Sequence, residues 1–202
     1  MKAIRQVSIR IMMLAFFVAC LTVGWGSSAR ADEYNKLTIF TFSQPVELPG
    51  VTLPAGTYAF KLLDSLGDRN VVQVFDKDQT HLYATILTIS DCRTQPADKT
   101  LVRFSETAAG GPSALKEWIY PGDDCGQEFV YPKNRAVELA KASNQPVPSM
   151  PSNMSPNVTK PAKTSSDASV AEMKNAQLKA QQANGQETEV GNSFNTKPKN
   201  GK

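Results

Sequence analysis

Between residues 37 and 131 the chain is a series of short β-branched and aromatic runs separated by turn residues. No helix-length apolar pattern interrupts them, and this most constrains the fold. The runs are Leu37–Phe42, Val51–Leu53, Thr57–Leu63, Val71–Phe75, Leu82–Ile89, Thr100–Ser105, Lys116–Tyr120 and Gln127–Tyr131. Thr57–Leu63 alternates, with Tyr58, Phe60 and Leu62 sharing one face. A period of two is the pattern of a half-buried strand. Turn signals fall between the runs, at Pro54-Ala55-Gly56, Asp64 to Asp68 and Asp76 to Thr80. Parallel sheets need crossover helices, which this stretch lacks. The spacing predicts a mainly β domain, an antiparallel sandwich or small barrel of about seven or eight strands.

A single helix is expected next, over about 132–143. Pro132 suits its start, Ala136, Val137, Leu139 and Ala140 form its apolar stripe, and Asn144 with Pro146 suits its end. It is expected to pack on a sheet edge or barrel end. The remainder, 143–202, contains only Val147, Val158, Val170, Leu178, Val190 and Phe194 as large aliphatic or Phe side chains, 6 of 60 residues. Too little apolar surface to offset chain entropy predicts a disordered Pro/Lys/Gln/Asn/Ser-rich tail, with a transient helix near 168–183.

Charge divides the chain in the same places. The whole carries +3. Residues 1–31 hold four basic residues and no acid; 32–142 hold 11 basic and 15 acidic residues; 143–202 hold seven Lys and four acids. The predicted domain is therefore acidic at −4, which excludes a nucleic-acid surface built from it. The tail's +3 is too dilute for a polybasic patch.

Residues 1–31 read as an export signal. Lys2, Arg5 and Arg10 precede an apolar run from Ile11 to Val23, and Ala29-Arg30-Ala31 provides a small-x-small cleavage site before Asp32. The run is short of the roughly 20 residues a spanning helix needs. The expected product is periplasmic or extracellular, with no stable membrane insertion after cleavage. A minor alternative is lipid anchoring at Cys20, in Phe17-Val18-Ala19-Cys20. Cleavage leaves Cys92 and Cys125, and two Cys in an exported chain favour one disulfide.

Motifs for chemistry are sparse. His81, with Asp76 and Asp78, forms the one acid/base candidate, but these are also ordinary hairpin-turn residues. A calcium loop starting at Asp76 lacks the Gly and Glu it requires. Asp123, Asp124 and Glu128 form a second acidic cluster, expected to be a solvated turn beside a disulfide. No nucleophile elbow, P-loop or dinucleotide fingerprint occurs. No metal and no cofactor is expected. Most aromatics are expected in the core, with Trp118 and Tyr120, two apart beside Pro121-Gly122, as an exposed stacking platform.

Four stretches carry a resemblance: Leu53-Pro54-Ala55-Gly56-Thr57-Tyr58, His81-Leu82-Tyr83-Ala84-Thr85-Ile86-Leu87, Tyr120-Pro121-Gly122-Asp123 and Glu128-Phe129-Val130-Tyr131-Pro132-Lys133. Through them residues 34–142 resemble a family of small secreted bacterial proteins of acidobacterial type. The resemblance implies export and no particular activity. The sequence reading is an exported, non-enzymatic binding or structural module whose partner is an envelope component or small ligand. The alternatives are a small hydrolase or isomerase using His81 with Asp76 or Asp78, and a carrier with an apolar cavity lined by aromatics.

Overall fold

The computed structural model describes residues 35–63, 70–107, 110–152, 154 and 161–190. The expected export signal with Cys20, the expected turn from Asp64 to Asp68 and residues 191–202 lie outside them. Nine strands make one mixed sheet: β1 Thr38–Phe42, β2 Val46–Leu48, β3 Val51–Leu53, β4 Gly56–Leu62, β5 Val71–Asp76, β6 Leu82–Cys92, β7 Leu101–Ser105, β8 Ser113–Ile119 and β9 Cys125–Phe129. Their order is β1-β4-β5-β6-β9-β8-β2-β3, with β7 also on β8.

β6 is the joint of this sheet. Its first half, Leu82 to Leu87, pairs with β5, and its second half, Thr88 to Cys92, pairs with β9. One long strand thus serves two layers of the sheet. The layers meet through rings. Phe40 of β1 and Phe60 of β4 each stand edge-on to Trp118 of β8 at 6.3 Å, and Phe42 meets Phe104 of β7 at 6.4 Å. Among the described residues β1 pairs only with β4 and β7 only with β8, so the ladder does not close into a barrel.

The expected seven or eight antiparallel strands are corrected in two respects. Among the described residues the main sheet has nine, and β2 runs parallel to β8 through Val46–Ser113 and Glu47–Ala114. Leu48-Pro49-Gly50 precedes the Val51–Leu53 run and shows no strand pattern of its own in the sequence. Pro49-Gly50 is the turn of a β2–β3 hairpin. Pro49 has a fixed φ and Gly50 adopts φ 84°, the conformation that the second corner of a type II turn requires.

α1 spans Lys133–Ser143 and follows Pro132. Its apolar stripe packs as Ala136, Leu139 and Ala140 into the main core, while Val137 is only partly buried. Asn144 caps it in the left-handed conformation (φ 51°). The small amide side chain of Asn tolerates that region well.

The prediction of a disordered tail fails for the described part. β10 (Val147–Ser149), β11 (Lys179–Gln181) and β12 (Glu187–Glu189) form a small antiparallel sheet, and α2 (Ala168–Lys174) lies between β10 and β11 in the chain. The physical reason is that this segment needs no core of its own. β5 and β6 present Val72, Val74, Ala84 and Ile86 to the main core and a second apolar set to the opposite face. On that second face Leu63 and Val71 bury Ala162 and Val170, and Leu87, Ile89 and Val130 bury Met150, Met173 and Leu178. Each large aliphatic or Met side chain fully buried this way is worth about 1.5–3 kcal/mol. Polar pins fix the register. Gln73 Nε2 donates to the Ala162 carbonyl (2.8 Å), and the Thr85 hydroxyl both donates to that carbonyl (2.8 Å) and accepts from the Ala162 amide (2.9 Å).

Candidate functional site

The disulfide expected from the sequence is present between Cys92 and Cys125, S–S 2.07 Å, across a register pair of β6 and β9. It is consistent with an oxidising, exported compartment. Among the described residues no helix is long and apolar enough to cross a membrane.

Asp76, Asp78 and His81 lie in the β5–β6 hairpin. Asp76 Oδ1 accepts from the backbone amides of Thr80 (2.6 Å) and His81 (2.9 Å), and Oδ2 accepts from the Thr80 hydroxyl. The His81 amide bond, followed by the Thr80 hydroxyl, holds the Asp76 carboxyl below its ordinary range. Both carboxylate oxygens are thereby used by the turn, which also places Gln79 at φ 57°. The His81 imidazole stands edge-on to Tyr83 at 4.6 Å, and Asp78 is exposed. The trio shares the hairpin turn, and His81 adds a minor electrostatic pull on Asp76.

The second acidic cluster disperses. Asp123 pairs with Lys36 Nζ at 2.7 Å. Asp124 is exposed and uses its carbonyl to accept from the Arg93 amide (2.7 Å), while Glu128 is the register partner of Glu117 on β8. Among the described residues no three His, Cys, Asp or Glu side chains are placed to hold a metal ion.

The stacking platform is also corrected. Trp118 is 1 % exposed and fills the core against Phe40 and Phe60. Its strand is flanked by β7 on one side and by β9 and β2 on the other, so a face that reads as a strand end in sequence is interior. Tyr120 is half-buried, with Lys36 Nζ 4.9 Å from its ring centre. The aromatics pack on one another, from Phe40–Phe60 at 5.0 Å to Tyr58–Tyr83 at 5.5 Å. The hollow beside Trp118 and Tyr120 holds only about 10 Å³. These rings enclose no ligand-sized cavity there.

The larger opening lies elsewhere, in the C-terminal segment. A cleft of about 500 Å³ is bounded by the small sheet, the start of α1 and the stretch after α2. Its charged centre is Glu187 on β12. Oε1 meets Lys133 Nζ at 2.6 Å and Oε2 meets Lys179 Nζ at 3.0 Å. Gln181 Nε2 donates to Oε1 (3.2 Å) and to the Ser149 hydroxyl (2.9 Å). The hydrogen bonds from Lys133 and then Lys179 hold the Glu187 carboxyl down at about 2. Met150, Met154 and Ala176 give the cleft an apolar side.

Chemically, the arrangement sets fixed charges of both signs beside an apolar wall. A carboxylate fixed between two ammonium groups is a poor proton carrier at neutral pH, whereas fixed opposite charges beside a Met-lined wall orient a ligand. The sequence reading did not reach this site. Lys133 lies far from Lys179 and Glu187 in the chain, and the latter two lie in the segment assigned to disorder. The available signal was the surplus apolar face of β5 and β6.

Fold and cleft together define a class: a mainly β domain on whose folded sheet a C-terminal lobe is docked. Compared with family models, curated protein sequences and solved structures, the chain matches none.

Proposed function

We propose that the protein is an exported, non-enzymatic binding module of the cell envelope and that its ligand occupies the cleft around Lys133, Lys179 and Glu187. The observation that carries this reading is the cleft itself: about 500 Å³, open, with paired opposite charges at one side and Met150 and Met154 at the other. A ligand bearing both charges and an apolar portion matches that lining. Envelope peptides and peptide-bearing wall fragments have this chemistry. The hydrolase or isomerase alternative draws no support from Asp76, whose oxygens are engaged by the hairpin.

The test is a two-dimensional NMR titration of the exported chain with soluble wall-derived glycopeptides, neutral oligosaccharides and anionic lipid vesicles as separate probes. Saturable shifts with the glycopeptide that cluster at Lys133, Met150, Lys179 and Glu187, and weaken in Lys133→Ala, support the reading. Shifts confined to other surfaces, or hydrolysis of a probe that is abolished by His81→Ala, overturn it.

A further inference from the structure

Two glutamates sit opposite one another in the register where β8 meets β9. Glu117 and Glu128 are register partners, and the ladder between these strands has only one other pair, Trp118–Gln127. The Glu117 side chain is 0 % exposed. Neither of its oxygens accepts a hydrogen bond. Its ion partner is Arg103 of β7, Nη1 3.1 Å from Oε2, and that side chain is nearly half exposed. Glu117 is admitted by Gly126, its diagonal neighbour on β9. A Cβ there would collide with Glu117 Oε1 and stand 2.6 Å from Ile119 Cγ1.

The other charged groups around the pair are Asp91 of β6, Arg93 just beyond it, and Lys116 of β8. They add one negative and two positive charges at the rim. A buried carboxylate without hydrogen bonds is costly, and two opposed carboxylates are costlier. The cheapest remedy is to keep a proton.

We propose that Glu117 and Glu128 together hold one proton at neutral pH, and that its loss loosens the β8–β9 junction, making it a pH-sensitive joint of the sheet. Burial is the main cause that raises both carboxyls. For Glu117 it outweighs the opposing pull of Arg103, and for Glu128, pushed up to about 7, it outweighs that of Lys116. Glu117 adds its repulsion to the burial that raises Glu128, which links the two titrations. The loosening stays local, because the disulfide and a five-pair ladder hold β9 to β6 and a separate ladder holds β8 to β7. The sign follows from linkage. A carboxyl whose value in the folded chain exceeds its ordinary one contributes fully below about 4.5, and the contribution is lost as pH rises through about 7.

The experiment uses the full exported chain. Carbon-detected NMR of the Glu carboxyls follows titration directly, and thermal unfolding is recorded from pH 5 to 9. The expected result is a carboxyl pair that titrates near neutrality, a Tm lower by several degrees at pH 8 than at pH 6, and a smaller protection of the Gln127 amide, relative to an unstructured chain at the same pH, at pH 8 than at pH 6. Glu128→Gln should remove the Tm slope. Ordinary titration of both groups near 4.5, or a slope unchanged in Glu128→Gln, overturns the proposal. The wild-type titration needs no variant, so misfolding of a Glu117 substitution leaves the test intact.

Discussion

Arg135 on α1 grips Glu47 on β2, 88 residues earlier, through two parallel hydrogen bonds: Nε to Oε1 and Nη2 to Oε2, each 2.7 Å. A third bond joins Nη1 to Glu138 Oε2 at 2.6 Å. The fork ties the first turns of the helix to the short β2–β3 hairpin. Its hydrogen bonding to Glu47 is the leading cause that raises the Arg135 guanidinium above its ordinary value. Lysine offers one point charge and cannot make two parallel bonds. Arg135→Lys is expected to lose about 1–2 kcal/mol, below the full range for charged hydrogen bonds because Arg135 is about one-third exposed. Denaturant unfolding in a double-mutant cycle with Glu47→Gln measures it. Additive losses in the cycle would show that the fork contributes nothing.

Gly126 is required by close approach, not by backbone conformation. A methyl group placed there runs into Glu117 and into Ile119 Cγ1 at 2.6 Å, both on fully buried side chains. Overpacking of this kind typically costs about 1–3 kcal/mol. Gly126→Ala is therefore expected to lower stability by that amount or to displace β8. A variant as stable as the wild type in urea would contradict the observed packing.

Acid should loosen the C-terminal sheet first. Glu187 is held at about 2 in the folded chain, below its ordinary value of 4.5. The contribution of its ion pairs is complete above about 4.5 and is lost as pH falls toward 2. The amides of β11 and β12 are expected to lose exchange protection between pH 4.5 and 2 before those of β5 and β6. Glu187→Gln should show the weaker protection already at neutral pH. Equal loss in both sheets would contradict the assignment.

Much of the fold was legible in the sequence. Alternation at Tyr58, Phe60 and Leu62 gave one strand face correctly, and Asn144 marked the end of α1. Cys92 and Cys125 announced their bond. Other features were hidden because they depend on distant partners. Nothing local shows that Trp118 is enclosed by three neighbouring strands, or that Val46 lies parallel to Ser113. The tail was misread because counting large aliphatics ignores Ala162, Met150 and Met173, which bury well against a surface already formed. A warning was present in β5 and β6, where Val71, Leu87 and Ile89 are apolar on the face opposite the core. That face had to be covered by something.

The cleft exists only if residues 161–190 are docked on the sheet. The most direct measurement is amide hydrogen exchange, followed by NMR on the exported chain at neutral pH. The Ala162 amide is buried and donates to the buried Thr85 hydroxyl at 2.9 Å, and the Met150 amide donates to the Tyr131 carbonyl at 2.9 Å. Docking predicts that both exchange many-fold more slowly than an unstructured chain, in the range of the β5 and β6 amides. Exchange of Ala162 at the rate of an unstructured peptide would contradict docking of this segment, and with it the cleft.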